Sequence, residues 1–212
     1  MTETLNHQAI AEAGLTDWRI VLGRLCTRLR TGNFVAGLNL VNQIGEAAES
    51  TNHHPDIDLR YTHVDITLVS HDVGRLTQRD VNLARTISDL AAERGVAAAP
   101  EERQGLEVAL NSRDYARIKP FWRTVLGMQD HRRFDIDIED GSGQLPALWF
   151  QTTEDEAADR MRFHLDVHVA PEVAEARVAE ALEAGGLLVT AEHAPGFWVL
   201  ADAEGNSVCV CT

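Results

Sequence analysis

Three histidines lie close together in the first half of the chain, with a carboxylate on either side of the group. The residues that could do chemistry here are Glu49, His53, His54, Tyr61, His71 and Asp80. Imidazole exchanges protons near neutrality because its unperturbed pKa is about 6.5. Adjacent His53 and His54 cannot easily direct both rings at one ion, and these three histidines do not have the helical His-x-x-x-His spacing of zinc sites. The spacing therefore favours general acid–base catalysis over a metal site. One histidine at a turn is usually an ordinary polar residue, so this interpretation depends on all three.

An amphipathic helix is predicted immediately before the histidine pair. The apolar residues that we expect to face the core are Phe34, Leu38, Val41, Gly45 and Ala48, with Leu40 and Ile44 flanking them. Pro55 cannot continue a helix, and it biases His54 towards an extended conformation. His53 and His54 are therefore predicted to lie where a helix ends and the chain turns.

A half-buried strand is predicted over residues 61–71, because apolar and polar residues alternate there. Val64, Ile66 and Leu68 would face the core, and Tyr61 and His71 would lie on the opposite face, at opposite ends. The next helix begins with Thr77-Gln78-Arg79-Asp80, which resembles a capping box with Asp in place of Glu. Asp80 therefore also has a structural role open to it.

The spacing of these residues matches, at every position, the signature of the pterin-4a-carbinolamine dehydratase family, which residues 15–94 resemble. The matching residues are Glu49, His53-His54-Pro55, Tyr61, His71 and Asp80. The resemblance implies an α+β fold, a small antiparallel sheet with helices on one face, and assembly as homodimers or homotetramers. It also implies that a small-molecule pterin is the substrate. A 4a-hydroxytetrahydropterin would lose water to give quinonoid dihydropterin, with no cofactor required.

The resemblance also assigns roles to individual residues. His53, His54 and His71 are implied to be catalytic, with His53 and His54 carrying the main proton transfers. His71 would hold the pterin or share in proton transfer. Which imidazole is the acid and which is the base stays open. The residues implied to bind substrate are Glu49, Asn52, Pro55, Tyr61 and Asp80. The chain departs from many family members at Ile57, where they carry Trp, and at Asn52, where they carry Asp.

The second half of the chain reads as a different domain. We predict domains over residues 1–94 and 106–212, joined by a linker at 95–105 that is rich in small and charged residues. After the linker, a strand, a helix and further strands are followed by a second copy of the same pattern. The predicted strands are 106–110, 134–138, 147–151, 163–169, 187–190, 196–200 and 208–211, and the predicted helices are 114–126 and 171–184.

This half is similar to the glyoxalase-like branch of the vicinal oxygen chelate superfamily, over residues 105–212. The motifs that carry the resemblance are residues 121–127, Phe163-His164-Leu165-Asp166 and residues 201–206. It implies paired βαβββ modules whose cupped sheet holds a divalent metal with side chains from four strands. Transfer of the ligand positions gives Glu107, Gln151 and His164 as degenerate metal candidates, with Ser207 in the fourth position.

Ser207 is a poor ligand, so we expect a metal-free pocket that binds a small ligand or modulates the first domain. His168 is interpreted as structural. Cys209 and Cys211 lie two residues apart on a predicted strand, and they are interpreted as packing residues.

The composition restricts the partners. A net charge of −14 disfavours nucleic acids and anionic membrane surfaces, and no apolar run is long enough to span a membrane. The first twenty residues show no signal peptide, and three cysteines fit a reducing cytoplasm. Two alternatives to a dehydratase stay open. One is a glyoxalase- or dioxygenase-like enzyme centred on the second half, which tight metal binding would favour. The other is a non-enzymatic regulator that binds a pterin or a protein without turnover.

Overall fold

Two neighbouring strands, residues 24–30 and 64–68, supply the sheet side of the hydrophobic core in the first half of the chain. In the computed structural model, which describes residues 3–154, 163–201, 205 and 207–212, the side chains of Val64, Ile66 and Leu68 are fully buried. Their predicted orientation towards the core is confirmed. The chain divides into two units, Met1–Gln104 and Gly105–Thr212.

The first unit contains one antiparallel sheet and three helices. Its elements are α1 (His7–Glu12), β1 (Arg19–Val21), β2 (Arg24–Arg30), α2 (Phe34–Thr51), β3 (Asp56–Leu59), β4 (Val64–Leu68), α3 (Gln78–Ala92) and β5 (Ala97–Ala98). The sheet order is β1-β2-β4-β3, and β5 also pairs with β2. Apolar residues of α2 and α3, such as Ile44 and Ile87, pack with the inward residues of β2 and β4 in one core. This is the predicted α+β arrangement with helices on one face. The predicted strand over 61–71 is shorter, because residues 60–63 form the turn between β3 and β4.

Helix α2 faces the core with a different stripe from the predicted one. Its buried residues are Gly37, Leu40, Ile44 and Ala48. Phe34 and Leu38, which we expected to be buried, are 47% and 42% exposed. Gly37 explains the rotation, because a Cβ at this position would lie 2.6 Å from Leu59 Cδ1. The helix approaches the sheet along the face that has no side chain at this point.

Residues 97–103, most of the predicted linker, belong to the first unit and pack against its sheet. Strand β5 pairs with Leu29 and Arg30 of β2, and Pro100–Glu102 form a 3-10 helix. Arg103 Nη1 lies 2.6 Å from Asp65 Oδ2. Strand pairing and this ion pair hold the segment, so the boundary between the units falls at residue 104 rather than over an extended linker.

The second unit contains two copies of a βαβββ module. The first comprises β6 (Gly105–Ser112), α4 (Tyr115–Val125), β7 (Gln129–Asp130), β8 (Asp137–Glu139) and β9 (Ala147–Thr152). The second comprises β10 (Phe163–His168), α5 (Pro171–Glu183), β11 (Leu187–Thr190), β12 (Phe197–Ala201) and β13 (Ser207–Cys211). The strands form one sheet in the order β11-β12-β13-β10-β6-β9-β8-β7. The predicted duplication is confirmed.

The sheet of the second unit has one apolar and one polar face. Leu110, Leu148 and Phe150 pack with residues of α4, while Trp198 and Val210 pack with residues of α5. Strand alternation directs the neighbouring residues of β6, β10 and β13 to the other face. In the predicted motif at 201–206, Asp202, Ala203, Glu204 and Asn206 lie outside the described residues, as do the side chains of Phe121 and Val125. Within the described ranges, no helix is long and apolar enough to cross a membrane.

Candidate functional site

The histidine pair follows the end of α2 directly. Asn52 ends the helix in the left-handed conformation, with φ of 49°, and its N–H donates to the carbonyls of Ala48 and Glu49. The His53 N–H also donates to the Ala48 carbonyl, at 3.1 Å. Asn tolerates this conformation better than most residues with a Cβ. Asn52, which the resemblance implied to bind substrate, therefore has a capping role, and it reverses the chain so that His53 turns inwards.

His53 is held by a buried carboxylate. Its Nε2 lies 2.9 Å from Asp80 Oδ1, and the two side chains are 5% and 0% exposed. The other oxygen of Asp80, Oδ2, accepts hydrogen bonds from Ser70 Oγ and the Thr77 N–H, both at 2.7 Å. These contacts include the reciprocal capping box at the start of α3, so the predicted capping role of Asp80 is confirmed. An ionised carboxylate can only accept, so His53 carries a proton on Nε2, and in the neutral ring Nδ1 is left to accept one.

His54 and His71 are the accessible imidazoles. His54 Nε2 lies 3.2 Å from Glu49 Oε1, and His71 Nε2 lies 3.9 Å from Asp56 Oδ1. Half or more of each histidine side chain is exposed. Asp56 pairs with Thr67 across β3 and β4, so the strand pairing brings the chain after His54 close to the chain that leads to His71. One end of the first unit therefore holds the three imidazoles of the predicted site. His53 is anchored, and His54 and His71 are accessible to a small molecule.

The remaining predicted site residues lie in different surroundings. Pro55 is half-buried between His54 and β3. Ile57, at the position where many family members carry Trp, packs against the core. Tyr61 is 73% exposed in the turn that joins β3 and β4. That turn lies at the opposite end of both strands from Asp56, so Tyr61 is not brought to the three imidazoles. Ser70, whose hydroxyl donates to Asp80, was not singled out from the sequence.

The polar face of the second unit carries a separate cluster. His164 Nε2 lies 3.4 Å from Asp166 Oδ1, and Trp149 Nε1 donates to Asp166 Oδ2 at 3.0 Å. Cys209 is the direct neighbour of Asp166 across the parallel pairing of β10 and β13. Ligand atoms of His164, Asp166 and Cys209 all lie within 4.8 Å of one another. Cys209, interpreted from the sequence as a packing residue, lies on the polar face beside a carboxylate.

Burial and neighbouring groups shift the titration of this cluster. Burial raises the pKa of Asp166, but hydrogen bonds from His164 and Trp149 outweigh it, so the net shift is downwards. Burial, with the charge of Asp166, raises the pKa of the Cys209 thiol to about 12. Asp166 is therefore a carboxylate at neutral pH.

The ligand positions transferred from the superfamily have different contacts in the structure. Glu107 Oε2 lies 3.2 Å from His168 Nε2, and Gln151 is exposed on β9. Ser207 lies two residues before Cys209 on β13. His164 belongs to a cluster of His, Cys, Asp and Glu side chains that the described residues form, and Glu107 does not.

Comparisons with known proteins agree with this division. Residues 2–90 match the family described as pterin 4 alpha carbinolamine dehydratase, and residues 107–211 match the family described as a glyoxalase-like domain. Two relatives carry the name "Putative pterin-4-alpha-carbinolamine dehydratase". The one from Nocardia farcinica is 42% identical over 42% of this chain and 97% of its own length. The one from Acidobacterium capsulatum is 41% identical over 41% of this chain and 96% of its own length.

Solved structures are similar to each half separately. A transcriptional coactivator/pterin dehydratase from Brucella melitensis is 26% identical, with a TM-score of 0.41, over 42% of this chain and 99% of that one. A glyoxalase/bleomycin resistance protein/dioxygenase superfamily member from Vibrio splendidus is 14% identical, with a TM-score of 0.35, over 51% of this chain and 98% of that one.

The two units therefore define a fusion of an α+β histidine-site domain with a paired βαβββ domain. The chain belongs to the pterin-4-alpha-carbinolamine dehydratase family through its first unit, and its second unit matches the family described as a glyoxalase-like domain. Both resemblances found in the sequence motifs are confirmed. The relatives named as dehydratases match less than half of this chain, so their name bears on the first unit alone.

Proposed function

We propose that the first unit is a 4a-hydroxytetrahydropterin dehydratase that works by histidine acid–base catalysis. The observation that carries this proposal is the His53–Asp80 pair at 2.9 Å, beside the accessible rings of His54 and His71. One imidazole with a fixed tautomer and two solvent-facing imidazoles suit a reaction that moves two protons. Membership of the dehydratase family supports the same substrate class.

The reaction needs one proton donor and one proton acceptor. The bond between C4a and the hydroxyl oxygen breaks, and the oxygen leaves with the bonding electrons as water once it is protonated. N5 loses its proton, and its electron pair forms the new double bond to C4a. No electrons enter or leave, so the residues need only supply and accept protons. General acid–base catalysis of this kind contributes about 10²–10⁴-fold to a rate.

The hydrogen bonds support one assignment of the roles. In this proposal His53 accepts the N5 proton through Nδ1, because Asp80 keeps the other ring proton on Nε2. His54, whose Nε2 lies beside Glu49, delivers a proton to the leaving hydroxyl. His71 holds the pterin or shares in the transfer. Asp80 acts through His53 and is a positioning residue.

Self-association of this unit is part of the proposal. The outward face of α2 exposes Phe34, Val35 and Leu38, and Val35 is 65% exposed. Adjacent apolar side chains on one helix face favour burial against another protein surface. Family membership and closed point-group symmetry favour a homodimer or homotetramer.

The test is stopped-flow dehydration of synthetic 4a-hydroxytetrahydropterin. We expect the wild-type protein to exceed the uncatalysed rate, and His54→Ala to reduce kcat about 10²-fold or more because it removes a general acid. His71→Ala should lower kcat/KM by a smaller factor. His63→Ala is the matched control, since His63 lies in the turn between β3 and β4 and should keep the wild-type rate.

Two results would contradict this proposal. One is a wild-type rate equal to the uncatalysed rate, and the other is an equal loss in His54→Ala and His63→Ala. Pterin binding without turnover would instead favour the regulatory alternative. Turnover that depends on the second unit would favour the glyoxalase-like alternative.

A further inference from the structure

A cavity of about 290 Å³ lies at the end of the first unit away from the three imidazoles. The residues that line it are Arg28, Arg30, Gly32, Thr62, His63 and Glu102. Asp56, which lies beside His71, is 3.9 Å from Arg24 at the start of β2, and Arg30 is six residues further along this strand. At about 3.3 Å per residue, Arg30 is roughly 20 Å from that end, so the cavity is separate from the pterin site. We propose that this cavity binds a phosphate dianion, as the free ion or as part of a small organic molecule.

Strand β2 brings two guanidinium groups to one face of the sheet. Arg28 and Arg30 are two residues apart, so both point away from the core, into which Leu29 points from between them. Arg28 is opposite Asp65 in the pairing of β2 with β4, and the same register continued by two residues places His63 opposite Arg30. Three groups that can carry a positive charge are therefore adjacent at this point of the sheet.

The ion pairs around this cavity leave an excess of positive charge. Arg28 and Arg103 share the carboxylate of Asp65. Arg28 also shares the carboxylate of Glu102 with Arg30. Among the described residues, this connected network contains three guanidinium groups and two carboxylates. A phosphate dianion in the position of Glu102 would balance all three guanidinium groups together with Asp65, whereas a singly charged carboxylate ligand would leave the excess unchanged.

Glu102 shows how an anionic oxygen fits between the two arginines. Its Oε1 contacts Arg30 Nη2, and its Oε2 lies 3.5 Å from Arg28 Nη1. The side chains of Arg30 and Glu102 are 57% and 34% exposed, so a dissolved anion can reach them. Exposed ion pairs of this kind contribute little to stability, while paired hydrogen bonds from guanidinium to phosphate are among the strong ones. Phosphate can therefore displace the Glu102 carboxylate.

The size and charge of the protein around the cavity limit the ligand. Small-molecule sites usually have volumes of about 300–1,000 Å³, so 290 Å³ suits phosphate or phosphate with a small organic group. Thr62 Oγ1, 3.2 Å from His63 Nδ1, adds a hydroxyl to the lining. The net charge of −14 repels anions from the protein as a whole, so a phosphate that binds must be held by a local site.

The experiment is a calorimetric titration of the full-length protein at pH 7.5, where a phosphate monoester is mostly a dianion because its second pKa is about 6. The probes are inorganic phosphate, glycerol 3-phosphate and, as the singly charged comparison, acetate. We expect one equivalent of phosphate to bind, and acetate to bind more weakly. Tighter binding of glycerol 3-phosphate than of inorganic phosphate would identify the ligand as an organic phosphate, and the reverse order would identify it as the free ion.

Three variants test whether the cavity is the site. Arg30→Gln should weaken phosphate binding about 10–100-fold, the usual loss for a hydrogen bond to a charged group. Glu102→Gln should strengthen it about 2–5-fold, because it removes the competing carboxylate, and misfolding cannot produce such a gain. Arg60→Gln is the matched control, since this exposed guanidinium pairs with Asp58 and does not line the cavity. It should keep the wild-type affinity.

Four results would overturn the proposal. They are absence of phosphate binding by the wild-type protein, equal affinity for phosphate and acetate, an equal loss in Arg30→Gln and Arg60→Gln, and a loss of affinity in Glu102→Gln. The arginines would then serve only to hold residues 97–103 against the sheet. The outcome is independent of dehydratase activity, because binding is measured without the pterin.

Discussion

Each unit holds a buried carboxylate beside an imidazole, and the two pairs differ in what else the carboxylate contacts. Asp80 uses Oδ1 for His53 and Oδ2 for Ser70 and the Thr77 N–H. With the Thr77 hydroxyl 3.3 Å from Oδ2, four protein donors surround this carboxylate, about as many as it can accept. An anion satisfied in this way has little capacity left for a metal, and its effect is to fix the proton of the neighbouring ring.

Asp166 is in a different situation. One oxygen accepts from Trp149, and the other lies 3.4 Å from His164, with Cys209 beside it. Lone pairs remain available on both oxygens, because a carboxylate can accept about four hydrogen bonds. The same pair of residue types therefore differs between the units in how many acceptor positions on the carboxylate are filled. The deciding factor is how many donors the fold supplies to the carboxylate.

The largest expected effect comes from breaking the first pair with Asp80→Asn. Ser70 and the Thr77 N–H would still donate to one side-chain atom, which must be the amide oxygen. The amide nitrogen would then face His53 Nε2 and force the opposite tautomer, with the proton on Nδ1. We expect kcat for pterin dehydration to fall about 10²–10⁴-fold, by analogy with the wrong-tautomer variant of a serine protease triad.

The control for Asp80→Asn is a measurement of tautomer and stability. Nitrogen-detected NMR should show the His53 proton moved from Nε2 to Nδ1, while thermal unfolding shifts by a few degrees at most. Asp72→Asn provides an exposed carboxylate change near the same helix, and it should leave kcat unchanged. A full wild-type rate in Asp80→Asn would mean that His53 is not the proton acceptor.

Local signals in the sequence predicted the carboxylate–imidazole pair of the first unit better than that of the second unit. The capping box around Thr77 and Asp80 depends on residues three apart, and it was predicted correctly. The face of α2 was not, because apolar residues at intervals of three and four allow two overlapping stripes. The close approach at Gly37 selects between them, and that contact involves Leu59, far away in the sequence.

In the second unit, the repeated pattern predicted both modules, but the fine placement needed the strand register. The strand predicted at 134–138 begins only at Asp137, since His131 accepts hydrogen bonds from the backbone N–H groups of Arg133 and Phe134 and forms a turn. The short strand β7 is exposed and carries no alternation that could reveal it. The neighbours of Asp166 follow from pairing across β10 and β13, which sequence spacing does not contain.

Asp65 is a third buried carboxylate, and its neighbours are guanidinium groups rather than an imidazole. Arg28 Nε and Arg103 Nη1 lie 2.7 and 2.6 Å from its oxygens. Burial raises the pKa of Asp65, but the hydrogen bond from Arg28 and the charges of both arginines lower it by more. The net shift of this pKa is therefore downwards. A lowered folded-state pKa means that the ionised form stabilises the fold above the unfolded pKa of about 3.9. That contribution is lost as the pH falls below about 4.

We therefore expect Asp65→Asn to lower the stability of the first unit at pH 7 by roughly 1–3 kcal/mol. This is less than the 3–5 kcal/mol typical of a fully buried pair, because both arginines are about a quarter exposed. Hydrogen exchange of β2 and β4 amides would measure it, and the difference from wild type should shrink below pH 4. Asp58→Asn, at an exposed pair with Arg60, should change little. A difference that is constant with pH would show that charge is not the cause.

The smallest expected effect is that of changing Asn52, and it distinguishes a role in substrate binding from a role in ending α2. If its role is to end α2 in the left-handed conformation, Asn52→Gly should keep both stability and KM, because glycine adopts this conformation without strain. Asn52→Ala should cost about 1 kcal/mol, since the left-handed conformation penalises most L-residues by 1–2 kcal/mol and alanine lacks the short polar side chain that lowers this penalty for Asn. Thermal unfolding and the KM for the pterin would be measured on both variants. If the amide of Asn52 binds substrate instead, KM rises in Asn52→Gly as much as in Asn52→Ala. Asn52 would then contact the same pterin as its neighbour His53, in addition to ending α2.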